Sequence, residues 1–202
     1  MSNSNKKVLI PQENPPISYL NALFEVGLTP VCAFSPSLLS RFSGLLLTGG
    51  GDVFPPFYNG DVFARNINIF RDLYEFEILD YFVKHNLPVL GVCRGLQIIN
   101  LYFGGTLKNV DGHFCSNGDK VHAVNTVNSG FLKDLSLVNS SHRQAVDKLC
   151  KNAQDVCFST DGTVEGFSIN GNILAVQFHP ERMDVYSRKK IYGKFYELIN
   201  KI

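Results

Sequence analysis

The chain contains no tryptophan, only two methionines and almost no charge imbalance: 19 Lys and Arg face 18 Asp and Glu, a formal net charge of +1. Near-neutrality argues against electrostatic capture of nucleic acid or of an anionic membrane, although local cationic patches survive within a neutral total. No apolar run approaches the about 18 residues of a membrane span. The first apolar run, Val8-Leu9-Ile10, is too short for the core of a secretory signal. No export is therefore expected, and the expected compartment is the cytoplasm. Cys-x-x-Cys spacing is absent, as are Gly-x-Gly-x-x-Gly and a glycine loop ending in Gly-Lys-Ser/Thr. Nucleotide binding by those two loop mechanisms is accordingly disfavoured.

What is there fits a folded chain. With 45% hydrophobic and 18% charged residues the composition is globular rather than disordered. A length of 202 residues is enough to bury roughly 70% of the unfolded chain's surface. No repeat, low-complexity tract or linker interrupts it, so residues 1–202 are expected to form one domain. The cysteines are Cys32, Cys93, Cys115, Cys150 and Cys157. An odd count at wide spacing reads as reduced thiols, four of them small structural hydrophobes.

The first half alternates apolar strands and helices. Lys7–Ile10, Pro30–Phe34, Gly44–Thr48 and Pro88–Val92 read as strands; Ile17–Val26, Arg71–His85 and Leu96–Phe103 read as helices. Fully apolar strands separated by helices indicate a parallel sheet covered on both faces. In the second half, Val121–Val127, Ser136–Asn139, Val164–Ile169 and Ile173–Phe178 read as strands. Asn170-Gly171 is a hairpin signal, and Val185–Ile202 reads as a closing helix. The expectation is an α/β fold, a mostly parallel central sheet flanked by helices, with a small antiparallel extension.

Gly91-Val92-Cys93-Arg94-Gly95 lies between an apolar strand and a helix. That is the setting of a nucleophile elbow, with sulfur in place of a serine oxygen. The helix N-terminus would stabilise a thiolate at Cys93. A thiol nucleophile needs a base and the base an orienting group. His179-Pro180-Glu181 supplies both. In an extended segment His179 and Glu181 point the same way. Pro180 biases His179 toward the β region. The turn Thr48-Gly49-Gly50-Gly51-Asp52 follows another apolar strand and could aim a backbone N–H at a developing oxyanion. The Arg94 N–H would be the second donor. Gln97, one helical turn past Cys93, can reach the same pocket. His113, Cys115 and His122 imitate a metal site, but their spacing is irregular and no fourth ligand is evident, so no metal is expected.

Together these motifs resemble the class I glutamine amidotransferase superfamily. More narrowly they resemble its γ-glutamyl hydrolase branch, which includes γ-glutamyl-γ-aminobutyrate hydrolases. The narrower likeness rests on Thr48-Gly-Gly-Gly-Asp52-Val-x-Pro55, Arg71-Asp72-x-x-Glu75, Gly104-Gly105-Thr-Leu107, Asn139-Ser140-Ser141-His142-Arg143-Gln144 and Asp161-Gly-x-x-Glu165. The resemblance implies a flavodoxin-like fold, a Cys93–His179–Glu181 triad, and an oxyanion hole from the Gly50 and Arg94 backbone. It further implies a glutamyl site formed by Gln97, Asn139, Ser140, Ser141, His142 and Arg143, with no cofactor. The implied reaction is hydrolysis of a small γ-glutamyl amide. Arg143 stands where members often carry a second histidine. That cation and the short chain resemble the members acting on γ-glutamyl-CDP-amidate in bacterial capsule biosynthesis. Two other readings stay open: a glutaminase subunit feeding ammonia to a separate synthetase, and a non-catalytic thiol-sensing domain. The sequence does not give the oligomeric state.

Overall fold

The computed structural model describes residues 6–33, 36–58, 64–126 and 130–201. In chain order the regular elements of the first half are β1 (Lys7–Ile10), α1 (Ile17–Glu25), β2 (Thr29–Cys32), β3 (Gly44–Leu47), α2 (Ile69–Lys84), β4 (Val89–Val92) and α3 (Arg94–Tyr102). The second half adds β5 (Leu107–Asn109), β6 (Lys120–Thr126), β7 (Leu137–Ser140), β8 (Gln144–Val146), β9 (Gln154–Ser159), β10 (Val164–Ile169), β11 (Ile173–Val176) and α4 (Val185–Asn200). One sheet runs in the order β2-β1-β3-β4-β11-β10-β9-β6-β7, and β5 pairs with β8 apart from it. The strands from β2 to β11 are parallel, while β10, β9, β6 and β7 continue antiparallel. This is the expected mostly parallel sheet with an antiparallel extension. Among the described residues no helix is long and apolar enough to cross a membrane.

Strand alternation divides the core into two layers. Val8, Ile10, Leu46, Leu90, Val92, Leu174 and Val176 pack with Tyr19, Leu23, Ile191 and Phe195, so α1 and α4 cover one face. Leu9, Leu45, Leu47, Val89, Ile173 and Ala175 pack with Ile78, Phe82, Leu96 and Ile99, so α2 and α3 cover the other. Successive residues of one strand thus feed opposite layers, which is why these strands are apolar throughout.

Several boundaries differ from the sequence expectation for local reasons. The second helix starts at Ile69 rather than Arg71, because the Asn68 side chain accepts from the Arg71 N–H at 3.0 Å and caps it. The third starts at Arg94, directly after Cys93. Asp184 caps α4 by accepting from the Tyr186 and Ser187 N–H groups. Three expected ends, Phe34, Val127 and Ile202, lie outside the described residues. Asn170 (φ +52°) and Gly171 (φ +73°) form the β10–β11 hairpin turn, both in the left-handed region that such a turn requires. All five cysteines are free; Cys150 and Cys157 are buried as expected, but Cys32 and Cys115 are exposed.

Candidate active site

In an open parallel sheet, ligands bind beyond the carboxyl ends of the strands. Here β3, β4 and β11 are neighbours, and each ends in a residue singled out by the sequence. The glycine turn follows β3, Cys93 follows β4 and His179 follows β11 shortly after. Cys93 is held by its N–H donating to Val176 O at 2.7 Å. It sits at φ +53°, ψ −104°, a left-handed-side conformation that is strained for a residue with a side chain. The strain turns the chain from strand to helix in one residue and places the thiol at the N-terminus of α3. Gly95 makes the turn possible, because a Cβ there would lie 2.2 Å from Leu47 O.

His179 and Glu181 meet, but not by strand alternation. The last parallel strand ends at Val176, and Pro180–Arg182 forms a 3₁₀ turn. Within that turn His179 Nδ1 and Glu181 Oε1 lie 2.8 Å apart, leaving the other ring nitrogen for Cys93. Burial alone would push the imidazole down. The adjacent Cys93 sulfur and then Glu181 outweigh it and hold His179 up at about 10. Gln177 Nε2 donates to Cys93 Sγ at 3.5 Å.

The glycine turn is oriented by a side chain. Arg71 Nη2 donates to Thr48 O and Gly49 O, both at 3.2 Å, and Arg71 Nε donates to Glu75 Oε1 at 2.7 Å. In a trans peptide N–H and C=O point opposite ways. With both carbonyls turned to Arg71, the N–H groups of Gly49 and Gly50 face away from it. The Gly49 N–H donates to Tyr19 Oη at 3.0 Å, so the Gly50 N–H is the donor left for a ligand. A Cβ on Gly50 would lie 2.4 Å from Arg71 Nη1, so a side chain there would displace the guanidinium that holds the turn. The Arg94 guanidinium is buried and donates to both Asp72 and Glu75. This anchors the first turn of α3 to α2.

A cavity of about 380 Å³ joins these groups. It is lined by Gly50, Cys93, Arg94, Gln97, Ser141, His142, Arg143, His179 and Glu181 among others. Gln97 is held by Nε2 donating to Gln144 O at 2.8 Å. Two expected glutamyl-site residues are not on its wall. Asn139 Nδ2 donates to His179 O at 3.0 Å, and Asn139 Oδ1 accepts from the His179 N–H at 2.8 Å. Its amide thus clamps the backbone of His179. Ser140 Oγ is buried and donates to His113 O at 2.8 Å. Both are buried residues of β7. Conversely, Tyr19 and Arg65 line the cavity without having been expected there. Tyr19 lies on α1, whose apolar spacing reads only as core. Arg143 stacks on Phe114, with its guanidinium carbon 3.3 Å from the ring centroid. His113 and His122, whose spacing with Cys115 is too irregular in the sequence to predict a metal site, do come together, but beside Glu165 and without Cys115.

The Peptidase C26 family model matches residues 33–181. The chain is 30% identical over 156 residues to the γ-glutamyl-CDP-amidate hydrolase of Campylobacter jejuni, covering 77% of this chain and 70% of that one. It is 33% identical over 187 residues to a Schizosaccharomyces pombe protein provisionally described as a glutamine amidotransferase, covering 81% and 73%. By structure it resembles a glutamine amidotransferase from Thermotoga maritima. The TM-score is 0.67 at 20% identity, over 98% of this chain and 86% of the other, a likeness of fold. With a family match over most of its length and the corresponding fold, the chain belongs to the Peptidase C26 family of class I glutamine amidotransferase-like proteins.

Proposed function

We propose that the protein hydrolyses a γ-glutamyl amide, with Cys93 as nucleophile, His179 as base and acid, and Glu181 holding His179. The observation that carries this reading is the convergence on one cavity of three things: a strained Cys93 elbow, the 2.8 Å His179–Glu181 pair, and a glycine turn whose carbonyls Arg71 pulls away. The Cys93 sulfur attacks the γ-carbonyl carbon. The Gly50 and Arg94 N–H groups donate to the oxyanion that forms, each such donor being worth roughly 3 kcal/mol in the transition state. The carbon–nitrogen bond breaks as His179 gives a proton to the leaving nitrogen. Water then gives a proton to His179 and its oxygen to the thioester carbon, the carbon–sulfur bond breaks, and glutamate leaves. Gln97, Ser141 and His142 line the side of the cavity assigned to the glutamyl group.

For the leaving group we favour an anion. Arg65 and Arg143 stand at the cavity with Phe114. The same three residues also line an adjoining cavity of about 480 Å³, room for a group larger than ammonia. A nucleoside diphosphoramidate, the group named for the Campylobacter jejuni relative, fits that chemistry.

The test is glutamate release from purified protein given γ-glutamyl anilide, glutamine and γ-glutamyl-CDP-amidate. Cys93→Ala should lower turnover at least about 10³-fold while thermal unfolding stays cooperative. Full activity in that variant would refute the mechanism. Arg143→Ser should lower kcat/KM on the amidate and spare the anilide. Equal loss on both would refute the anionic leaving group and leave the hydrolase standing.

A further inference from the structure

A second cluster of titratable groups lies where the β5–β6 loop, β6 and β10 meet, and it borders the cavity through His142. His113, His122 and Glu165 each turn one ligand atom inward, all within 4.8 Å of one another. From Glu165 Oε1, His122 Nε2 is 3.0 Å away, His113 Nδ1 3.6 Å and His142 Nε2 3.9 Å. We propose that His113, His122 and Glu165 bind a zinc-type divalent cation, with His142 within reach of the fourth position.

Three observations support this. The first is unspent hydrogen-bonding capacity. His122 Nε2, His142 Nε2 and both Glu165 oxygens are buried without an aligned hydrogen bond. At 3.0 Å the His122–Glu165 pair is close, yet off the N–H direction. Buried polar atoms are costly unless paired; His122 Nε2 and Glu165 Oε1 face each other at 3.0 Å, and an ion between them would serve all four atoms.

The second is the outward side of the histidines. His113 Nε2 lies 2.8 Å from Asp161 Oδ2, and His142 Nδ1 lies 3.0 Å from Gln144 O. Each acceptor fixes the N–H on the outer nitrogen and leaves a lone pair on the inner one. Ser140 Oγ, 3.2 Å from His113 Nδ1, spends its own hydrogen on His113 O. Metal-binding histidines are held in this way, by a carboxylate or a carbonyl on the far nitrogen.

The third is size and charge. Metal–ligand bonds of about 2.0–2.1 Å place tetrahedral ligands about 3.3–3.4 Å apart. The 3.0, 3.6 and 3.9 Å separations bracket that value. Imidazole with one carboxylate suits zinc better than calcium or magnesium. Glu165 and Asp161 together balance a dication. Such an ion would pin the antiparallel extension next to Ser141–Arg143 without touching Cys93.

The test uses the full chain, stripped with a chelator and titrated with Zn²⁺ by calorimetry. The expected result is one equivalent bound, a rise in Tm, and X-ray absorption showing nitrogen and oxygen ligands only. Glu165→Gln and the less buried His122→Asn should each weaken binding at least about 100-fold, while Cys93→Ser keeps the full equivalent. Sulfur in the zinc shell, or an equivalent lost in Cys93→Ser and kept in Glu165→Gln, would move the ion to Cys93 and overturn the proposal. So would the absence of saturable binding to the wild-type protein, a result that needs no variant to fold.

Discussion

Replacing Asn139 with alanine separates two roles that the residue could play. If it holds a glutamyl substrate, its loss raises KM. The structure gives it a different role. Its amide spans the backbone of His179, donating to the carbonyl at 3.0 Å and accepting from the N–H at 2.8 Å. Alanine removes both bonds; the His179 carbonyl keeps the Arg182 N–H at 3.1 Å, but the N–H of this buried residue is left without a partner. The orphaned N–H costs about 1–3 kcal/mol and the lost bond to the carbonyl about 1 kcal/mol more, so the pair costs about 2–4 kcal/mol. For a chain of this size 1 kcal/mol moves Tm by about 2–4 °C. The expected fall is therefore about 4–16 °C in a calorimetric scan. Asp119 also loses the Asn139 amide but keeps Arg182 at 3.0 Å, so the damage stays near His179. A displaced imidazole lowers kcat, by about 10²-fold if it moves by about 1 Å, with KM within about twofold. An unchanged Tm, or a raised KM with kcat intact, would refute the clamp.

Two further outcomes follow from charge. His179 is held up at about 10 against an ordinary 6.5, so its imidazolium is complete at neutral pH and disappears only as pH rises through about 10. The alkaline fall of kcat/KM on a γ-glutamyl anilide should lie there, and Glu181→Gln should move it to lower pH; an unmoved limb would show that Glu181 does not support the charge. Arg94→Met leaves the fully buried Asp72 and Glu75 without their shared cation, though Arg71 remains on Glu75, and should cost about 3–5 kcal/mol in urea unfolding. A loss under about 1 kcal/mol would mean that the two carboxyls protonate or rehydrate without penalty.

The parallel half of the sheet is legible because its strands are buried on both faces. Leu45-Leu46-Leu47 and Val89-Leu90 have no other use for such a composition. The extension is less so. The strand Gln154–Ser159 escapes notice because its apolar residues, Val156, Cys157 and Phe158, are consecutive and too few to show a period in the sequence, and Val121 and Leu137 are apolar yet 66% and 56% exposed. Short β5 and β8 are three residues each and hold one another rather than the main sheet. At these places tertiary pairing decides the structure, and local composition carries little of it.

The site divides along the same line. Cys93 is legible because a nucleophile elbow needs small neighbours, and glycines on both sides of a residue leave a mark in the sequence. The His179–Glu181 contact is legible for an insufficient reason: the residues approach through a 3₁₀ turn, and a strand ending at Val176 could not have brought them together by alternation. What spacing could not show is anything joined across the chain. Tyr19 meets the Gly49 N–H from 30 residues away, Asn139 reaches His179 across 40, and Glu165 meets His122 and His113 from separate strands and loops. Tyr19 looks ordinary beside its sequence neighbours, and the motifs that contain Asn139 and Glu165 do not say what those residues meet. Their chemistry arises because adjacent parallel strands must end at the same edge, and because the antiparallel extension then returns the chain beside that edge. Motifs therefore mark the candidate reacting atoms, while the fold alone reveals what holds them in place.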